Sequence, residues 1–302
     1  MLVKFWGVRG SIPCPGSSTV RYGGNTPCIE VRFPDINRLI IIDAGSGLRE
    51  LGNDLMTRGQ PVEAHLFLTH THWDHIMGFP FFVPAYVAGT HIRVYGPVTY
   101  EEDTLEKVVG GQMTYRYFPI REAELAANIQ YFSLKEEVMD LGDGIIIKTK
   151  YLNHPVLCLG YRIEYEGKVF CTAYDTEIFR NVFITDPQHP DYDEEMAAEG
   201  ELVAAEQNGM IEQFYQDADL LVHDSQYTQD EYEQKYTGWG HGYIEYVCQA
   251  AQRSQVKKLA LFHHDPLRTD EQIDGFKEKY CNEEYCGDTE TFFAKEGMIV
   301  EL

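Results

Sequence analysis

Five short apolar segments share one form, and this form constrains the fold more than any other feature of the sequence. Each is rich in β-branched or aromatic residues and ends in aspartate or histidine: LIIIDAG (39–45), HLFLTHTH (65–72), VFCTAYDT (169–176), LLVHDS (220–225) and LALFHHD (259–265). Continuous apolar runs of this length are typical of buried strands. In α/β sheets, ligands bind where loops leave the strand ends. The pattern therefore predicts a rigid sheet framework that delivers Asp and His side chains to one polar site.

Helical patterns separate these strands. GLRELGNDLMTRG predicts a helix that ends at Gly59, and HGYIEYVCQAAQRS (241–254) has apolar residues at three- and four-residue spacing, which indicates one apolar face. CLGYRIEYEGKVFCTAY predicts a hairpin that turns at Glu166–Gly167. No linker rich in Pro, Ser or Gly divides the chain. We therefore expect one domain over residues 1–302, with two sheets packed face to face and helices outside.

The net charge of the chain limits the classes of partner that it can bind. Lys and Arg number 25 and Asp and Glu 48, which gives a formal net charge of −23, and residues 181–234 contain no Lys or Arg. We place an acidic insertion around residues 177–215 within the same region. A protein that binds long nucleic acid normally neutralises several phosphates with Lys and Arg. A long nucleic acid is therefore a disfavoured partner, whereas a small substrate at a metal centre is not.

Other features bear on location and assembly. No apolar run approaches the ~18 residues that a membrane span requires, and the odd count of seven cysteines argues against a disulfide framework. We therefore expect a cytoplasmic protein without membrane contact, and a homodimer is compatible with the sequence. The segment 99–130 has the weakest pattern, and we interpret it as a wall or lid over the site.

Three histidines and an aspartate lie within HTHWDH, residues 70–75, directly after an apolar strand. Because side chains alternate along an extended segment, His70 and His72 point the same way, while Asp74 and His75 follow on the turn. This spacing suits two neighbouring cations rather than one. Further ligands must come from elsewhere, and three residues at strand ends are candidates: His154, Asp175 and His263. The carboxylate among them can bridge two cations.

The order and spacing of these residues resemble the metallo-β-lactamase superfamily over roughly residues 2–265. The likeness is greatest to its phosphodiesterase branch, which contains tRNase Z and small cyclic-nucleotide phosphodiesterases. The resemblance implies an αββα sandwich with two divalent metal ions at the sheet edges. It assigns His70, His72 and His154 to the first metal and Asp74, His75 and His263 to the second, with Asp175 as the bridging ligand.

The same resemblance gives Asp43 a supporting position and leaves His264 as an alternative to His263. The typical metals of the family are Zn²⁺ and Mn²⁺. Histidine ligands suit Zn²⁺, and carboxylate ligands keep Mn²⁺ open. The β-lactamases proper tend to have cysteine at the bridging position, where this chain has Asp175.

Two further motifs resemble consecutive motifs of tRNase Z: LVHDSQY (221–227) and GHGYIEYVCQAAQ (240–252). By this resemblance, His241 is a proton donor that the Asp224 carboxylate orients, although tRNase Z has Glu at the position of Asp224. A helix cap is the alternative role for His241. Asp74 is expected to orient the attacking water or to accept its proton.

We therefore expect a dinuclear phosphodiesterase for a small, cyclic-nucleotide-type substrate, in which a metal-bound hydroxide attacks phosphorus. Tyr115, Tyr117 and Phe118 are candidates for stacking on a base. We find no basic Gly- and Pro-rich arm of the kind with which tRNase Z holds tRNA. The alternatives are an RNA 3′-processing nuclease of the tRNase Z type, and a hydrolase of an amide, lactone or thioester. Outside enzymes, the alternative is a metal-binding module that senses a nucleotide.

Overall fold

The computed structural model describes residues 1–59, 61–98 and 103–302. Its strands in chain order are β1 (Leu2–Gly7), β2 (Cys28–Phe33), β3 (Arg38–Ile42), β4 (Glu63–Phe67), β5 (His91–Pro97), β6 (Asn128–Leu134), β7 (Val138–Gly142), β8 (Ile145–Leu152), β9 (Cys158–Tyr165), β10 (Lys168–Ala173), β11 (Leu220–Asp224), β12 (Lys258–Phe262), β13 (Glu290–Phe293) and β14 (Ile299–Glu301). In these described ranges the strands form two seven-stranded sheets, ordered β14-β1-β2-β3-β4-β5-β6 and β13-β12-β11-β10-β9-β8-β7.

Eight α-helices lie in the described ranges: α1 (Gly47–Arg58), α2 (Trp73–Ile76), α3 (Leu105–Gly110), α4 (Glu194–Phe214), α5 (Gln229–Glu231), α6 (Ile244–Arg253), α7 (Asp270–Tyr280) and α8 (Glu283–Cys286). Short 3₁₀ turns occur at Phe79–Phe81, Val83–Tyr86, Gly111–Met113 and Glu122–Glu124, and a π-helical turn occurs at Tyr232–Tyr236. None of the helices in the described ranges has the length and apolar composition that would let it cross a membrane.

Three apolar clusters separate four layers. The largest lies between the sheets, where Phe5 and Phe67 of the first sheet meet Tyr161 and Phe262 of the second. A second cluster joins the outer face of the first sheet to α1 and α3, and a third joins the outer face of the second sheet to α4, α6 and α7. Because alternate residues of a strand face opposite sides, one sheet contributes to two clusters. The αββα sandwich that the sequence predicted is confirmed.

Parallel strands bring the site residues to one edge. In the first sheet β3, β4, β5 and β6 run parallel, and in the second β10, β11, β12 and β13 run parallel. The last pairs along these strands include Ile42 with Phe67 and Asp224 with Phe262. The carboxyl ends of neighbouring strands therefore lie side by side. Loops that carry Asp and His residues leave the sheets there.

Most local predictions are confirmed, and one helix boundary is wrong. The α1 helix ends at Arg58, before Gly59 at φ 139°, and the β9–β10 hairpin turns at Glu166 and Gly167. However, the helix predicted from residue 241 begins at Ile244. Tyr243, the N-cap residue, has an extended backbone (φ −121°, ψ 147°), so residues 241–243 belong to the preceding loop.

The structure shows what is formed by three regions whose sequence patterns are weak. In the segment 99–130, residues 99–102 lie outside the described residues, and α3 packs on the first sheet through buried Leu105 and Val109. The residues that follow Glu177 run without helix or strand until α4 begins at Glu194. The last 37 residues, beyond the region of the resemblance, supply β13 and β14, an edge strand for each sheet.

Candidate metal centre

Three residues that follow buried strands adopt left-handed backbone conformations. Asp43, Asp175 and His263 have φ values of 62°, 39° and 61°, a region that residues other than glycine rarely occupy. Asp43 and His263 directly follow β3 and β12, and Asp175 follows β10. Such conformations cost of order 1–3 kcal/mol each and cluster at functional sites. Here they bend the chain sharply at the carboxyl edge of the sheets, where all three side chains are buried.

The carboxylate of Asp175 lies between two sets of imidazoles. Its Oδ1 is 3.3 Å from Nε2 of His75 and 3.3 Å from Nε2 of His263. Its Oδ2 is 3.6 Å from Nε2 of His70 and 3.9 Å from Nε2 of His154. Each oxygen faces its own pair of histidines, and this is the arrangement in which one carboxylate can bridge two cations.

Two groups of potential ligands share this carboxylate. Within each group, the ligand atoms lie within 4.8 Å of one another, and the groups are His70, His72, His154 and Asp175, and Asp74, His75, Asp175 and His263. These are the sets that the resemblance assigns to the first and second metals. A third group of the same kind joins Asp175 and His263 to Asp224 and His241.

The histidine rings are oriented for metal ligation. Four of them have a protein partner for Nδ1: His70 with Thr69 Oγ1 at 3.1 Å, His75 with Asp43 Oδ2 at 2.7 Å, His154 with Gly240 O at 2.9 Å and His263 with Gln226 Oε1 at 3.1 Å. Outer partners of this kind fix ring orientation and leave Nε2 as the ligand atom. His72 differs, because its Nδ1 lies 3.2 Å from Nε2 of His154.

Several ligand atoms also lack a protein partner. Among the described residues, Nε2 of His70, Nε2 of His75 and Oδ1 of Asp175 are buried without a hydrogen bond. Buried polar atoms are rarely left unsatisfied in this way unless a ligand or ion completes them. The donor set of imidazoles and carboxylates therefore fits two divalent cations, with Zn²⁺ and Mn²⁺ both compatible.

Asp43 braces the HTHWDH turn from the neighbouring strand. Its Oδ1 accepts a hydrogen bond from the backbone N–H of Thr69 at 2.7 Å. Its Oδ2 accepts from Thr69 Oγ1 at 2.9 Å and lies 2.7 Å from Nδ1 of His75. This is the supporting position that the resemblance implied, because the carboxylate orients a candidate ligand without reaching the cluster itself.

Burial and neighbouring charge set the protonation of the cluster. Burial lowers the pKa of His70 well below its ordinary value and that of His154 to about 4, so both rings are neutral near neutral pH, as metal ligands must be. Burial opposes the charged form of His75, but the surrounding carboxylates, first that of Asp175, raise its pKa well above the ordinary value. The carboxylates thus favour positive charge at the centre of the cluster.

His241 and Asp224 form a hydrogen-bonded pair beside the cluster. Nδ1 of His241 lies 2.8 Å from Oδ2 of Asp224, and this carboxylate also accepts backbone N–H groups from Thr176 and Gln226. Burial opposes protonation of His241, but the Asp224 carboxylate outweighs it and raises the pKa of His241 to about 9. With Nδ1 held, Nε2 is the nitrogen that can exchange a proton with a ligand. The N-cap of α6 is Tyr243, so His241 does not cap that helix.

The structure separates His263 from its neighbour. His263 points into the cluster, with Nε2 3.3 Å from Oδ2 of Asp74. His264 is buried elsewhere, where its Nε2 donates to the carbonyl of Ala294 at 2.7 Å and burial lowers its pKa to about 3. Of the two, only His263 belongs to the groups of potential ligands found in the described residues.

The N-terminal loop contributes to the site through Gly10 and Ser11, two residues that the sequence analysis did not single out. The backbone N–H of Ser11 donates to Oδ2 of Asp74 at 2.8 Å. A Cβ atom on Gly10 would lie 2.5 Å from Cε1 of His263, so only glycine lets this loop lie against the imidazole. The only signal is the pair Gly10–Ser11, which is too common in sequences to indicate a site.

Glu177 is another residue that the sequence analysis missed. Its buried carboxylate accepts four hydrogen bonds, from the side chains of Tyr232 (2.5 Å) and Arg180 (3.1 Å) and from the backbone N–H groups of Gly238 (2.7 Å) and Gly240 (2.9 Å). The loop held in this way carries His241, and its Gly240 carbonyl is the partner of His154. A glutamate beside an acidic region carries no signal for this role, because three of its four partners lie more than 50 residues away.

A cleft of about 450 Å³ opens over the cluster. Its lining residues are Ser11, Thr71, His72, Trp73, Asp74, Asp175, His241 and His263. A larger groove of about 700 Å³ lies along residues 32–39, 55–59 and 61–63, but none of the Asp or His residues of the cluster is among its described lining residues. Two of the predicted stacking residues have other partners: Arg121 covers the ring of Tyr115, and Phe118 packs edge-on against Phe81.

Comparisons with known proteins agree with this geometry. Residues 21–161 match the family model of the metallo-beta-lactamase superfamily. The chain is 23% identical over 271 residues to ribonuclease Z of Streptococcus equi subsp. equi (strain 4047), a match that covers 76% of this chain and 80% of that protein.

Two crystal structures have the same fold. The metallo-beta-lactamase fold protein YhfI from Bacillus subtilis superposes with a TM-score of 0.65 at 17% identity, covering 99% of this chain and 98% of that one. A diphosphatase from the PhnP family superposes with a TM-score of 0.63 at 15% identity, covering 100% and 97%. Residues 21–161 are therefore similar to the metallo-β-lactamase superfamily, as the sequence predicted, and the whole chain has the fold of these two proteins.

Proposed function

We propose that the protein is a dinuclear metal-dependent phosphodiesterase, and that its substrate is a small phosphodiester of the cyclic-nucleotide type. The observation that carries the proposal is the position of Asp175, whose two carboxylate oxygens face different sets of histidines. A mononuclear site would need only one of these sets. Two divalent cations held there would lower the pKa of a bound water and neutralise charge on the phosphoryl oxygens.

The first cation would be held by His70, His72 and His154, and the second by Asp74, His75 and His263, with Asp175 shared between them. Zn²⁺ fits the histidines, and the carboxylates keep Mn²⁺ as the alternative. The remaining residues act on orientation and protons. Ser11 holds Oδ2 of Asp74 through its backbone N–H, which directs that carboxylate towards the space where an attacking water would lie.

His241 is proposed to protonate the leaving oxygen. Its Nδ1 is held by Asp224, and its ring lines the same cleft as Asp74 and Asp175. A sugar alkoxide is a poor leaving group, and a positioned acid typically accelerates its departure by ~10²–10⁴-fold. In this arrangement Asp224 acts through His241, since it fixes the ring and favours its charged form.

A tRNase Z-like RNA 3′-processing nuclease is the second candidate, and the relatives named ribonuclease Z favour it. Against it stands the formal charge of −23. Binding of long RNA gains most of its affinity from Lys and Arg at the phosphates, and this chain has few to spare. The cleft of about 450 Å³ is also in the size range typical of small-ligand sites.

One experiment separates these candidates. Cyclic mononucleotides, cyclic dinucleotides, a tRNA precursor and nitrocefin are assayed with protein loaded with Zn²⁺ or with Mn²⁺. We expect a cyclic nucleotide to be hydrolysed far faster than the tRNA precursor at physiological salt. Efficient removal of a tRNA 3′ trailer would make the nuclease the better assignment. Hydrolysis of nitrocefin alone would move the activity to amides, and binding of a nucleotide without turnover would indicate a sensor.

A further inference from the structure

The chain has three tryptophans, and among the described residues two of them have a partner for their rings. Trp6 donates its indole N–H to Glu30 at 2.9 Å, and the ammonium of Lys4 lies 3.6 Å from its ring centre. Trp239 packs edge-on against Tyr236. The side chain of Trp73 is 77% exposed and makes neither a hydrogen bond nor a ring contact within the described residues. An indole with this much exposed apolar surface has a strong tendency to become covered.

Trp73 is exposed into the candidate metal centre. It is the first residue of α2 and lies between His72 and Asp74 in the HTHWDH motif. It lines the cleft of about 450 Å³ together with Asp175 and His241. Trp73 and the Asp and His cluster therefore border the same space, so one small ligand can contact both.

We propose that Trp73 is the stacking platform for the nucleobase of a mononucleotide-sized substrate whose phosphate lies at the cluster. This inference rests on the proposed function and specifies its substrate class. A base has a flat π-face that stacks on an indole whatever its hydrogen-bonding pattern. In a mononucleotide only one ribose separates base and phosphate, which suits a platform directly beside the candidate ligands. The indole of Trp73 is neutral and planar, so it is suited to contact a base rather than a phosphate.

The alternative is that a second copy of the chain covers Trp73. The shared cleft argues against it, because a partner seated on Trp73 would also close the space over Asp74, Asp175 and His241. An enzyme that is blocked in this way could not admit substrate. The two roles of Trp73 predict different results, because only at an interface would substitution of Trp73 change the mass of the protein particle in solution.

Fluorescence tests the location of the base. Metal-loaded protein is titrated with adenosine 5′-monophosphate, and with ribose 5-phosphate as the probe that lacks a base. We expect the nucleotide to quench tryptophan emission in the wild type and in Trp239→Phe, but not in Trp73→Phe. Ribose 5-phosphate should leave the emission unchanged in all three proteins. Equal quenching in wild type and Trp73→Phe would overturn the proposal.

Calorimetry measures the contribution of the ring. Trp73→Ala should weaken binding of adenosine 5′-monophosphate roughly 10- to 100-fold, the range that loss of one base–aromatic stack produces, and Trp73→Phe should retain most of the affinity. Binding of ribose 5-phosphate should change less than about twofold. Trp239→Ala is the matched control and should leave both affinities unchanged. Metal content, measured in parallel, should be the same in every variant.

Three outcomes would overturn the platform. Unchanged nucleotide affinity in Trp73→Ala would contradict the stacking role. An equal loss of affinity for both ligands would also contradict it, because that result would indicate damage to the cluster. A change in particle mass by light scattering, with nucleotide affinity unchanged, would assign Trp73 to an interface. If metal-loaded wild type binds neither ligand and hydrolyses no phosphodiester, the proposed function fails together with this inference. If the ligands bind but Trp73 has no effect, only the inference fails.

Discussion

The two sheets contribute to the candidate site in different ways. The first sheet supplies Asp43 and residues 69–75, which follow the neighbouring parallel strands β3 and β4. The second sheet supplies residues from five separate segments: His154, Asp175, Asp224, His241 and His263. One half of the site is nearly continuous in sequence, and the other half exists only once the second sheet and its loops have formed.

The means of support differ in the same way. On the first sheet, Asp43, Thr69 and His75 form a compact hydrogen-bonded network within the loops that follow β3 and β4. On the second sheet, the Gly240 carbonyl and the Gln226 side chain are the partners of the His154 and His263 rings, and Glu177 holds the loop that carries His241. The comparison teaches that candidate metal ligands lie on both sheets, whereas the proposed proton donor His241 lies on the second sheet alone. It should therefore be possible to remove the proposed proton donor without removing a metal ligand.

The largest effect is expected where the two halves meet, at Asp175. Asp175→Ala removes a ligand from both cation positions, so metal content should fall from about two per chain to below one. Activity should fall by more than the ~10–100-fold that loss of an outer partner typically costs. His72→Ala is the matched variant, because it removes a ligand from one position only and should leave about one metal. Elemental analysis that finds an undiminished metal content in Asp175→Ala would contradict a bridging role.

The next effect separates proton donation from metal binding. His241→Ala should slow the hydrolysis of a cyclic nucleotide by ~10²–10⁴-fold, because the sugar alkoxide then leaves without a proton. The hydrolysis of bis-p-nitrophenyl phosphate should slow far less, since p-nitrophenolate is stable near neutral pH. The metal content should not change.

Asp224→Asn should act in the same direction but more weakly, because the amide still orients the ring. Equal losses on both substrates would argue for a damaged fold or a binding role, and would remove the distinction between the two halves.

A third prediction compares the outer partners of the two halves. Asp43→Asn replaces an acceptor of the His75 N–H with an amide that still matches the Thr69 N–H, and metal affinity should fall ~10–100-fold. Gln226→Ala removes the partner of His263 on the second sheet and should cost less, because a neutral acceptor polarises the ring less than a carboxylate does. Competition with a metal chelator measures both. A larger loss in Gln226→Ala would reverse the ranking.

The smallest effect is expected at Glu177. Glu177→Gln keeps one acceptor oxygen but turns an NH₂ group towards the Gly238 or Gly240 N–H. Turnover of the cyclic nucleotide should fall about tenfold, close to the loss of one hydrogen bond. Hydrolysis of bis-p-nitrophenyl phosphate and metal content should fall less, through the Gly240 carbonyl beside His154.

If Glu177 acts by holding the loop of His241, the double variant Glu177→Gln/His241→Ala should be no slower than His241→Ala alone, since the two changes remove one interaction. Additive losses would show that Glu177 acts through something other than that loop.

Much of the fold followed from local patterns. The apolar runs predicted strands at positions such as Arg38–Ile42 and Lys258–Phe262, and α1 ended at Arg58, directly before the expected Gly59. These predictions succeeded because burial periodicity and turn residues act over a few positions. The start of α6 was wrong, because the loop before it is held by Asp224 and Glu177. Such long-range contacts leave no periodic signal in the sequence.

The sequence by itself determined the residue types of the candidate site and their positions at strand ends, because parallel strands necessarily bring their carboxyl ends to one edge. Only the tertiary structure distinguished His263 from His264, since both follow the same strand and differ only in the direction their side chains take after a φ of 61°. Only the tertiary structure placed one oxygen of Asp175 towards each set of histidines, and the N–H of Ser11 on Asp74. These contacts join segments far apart in the chain, and their geometry depends on how the two sheets pack.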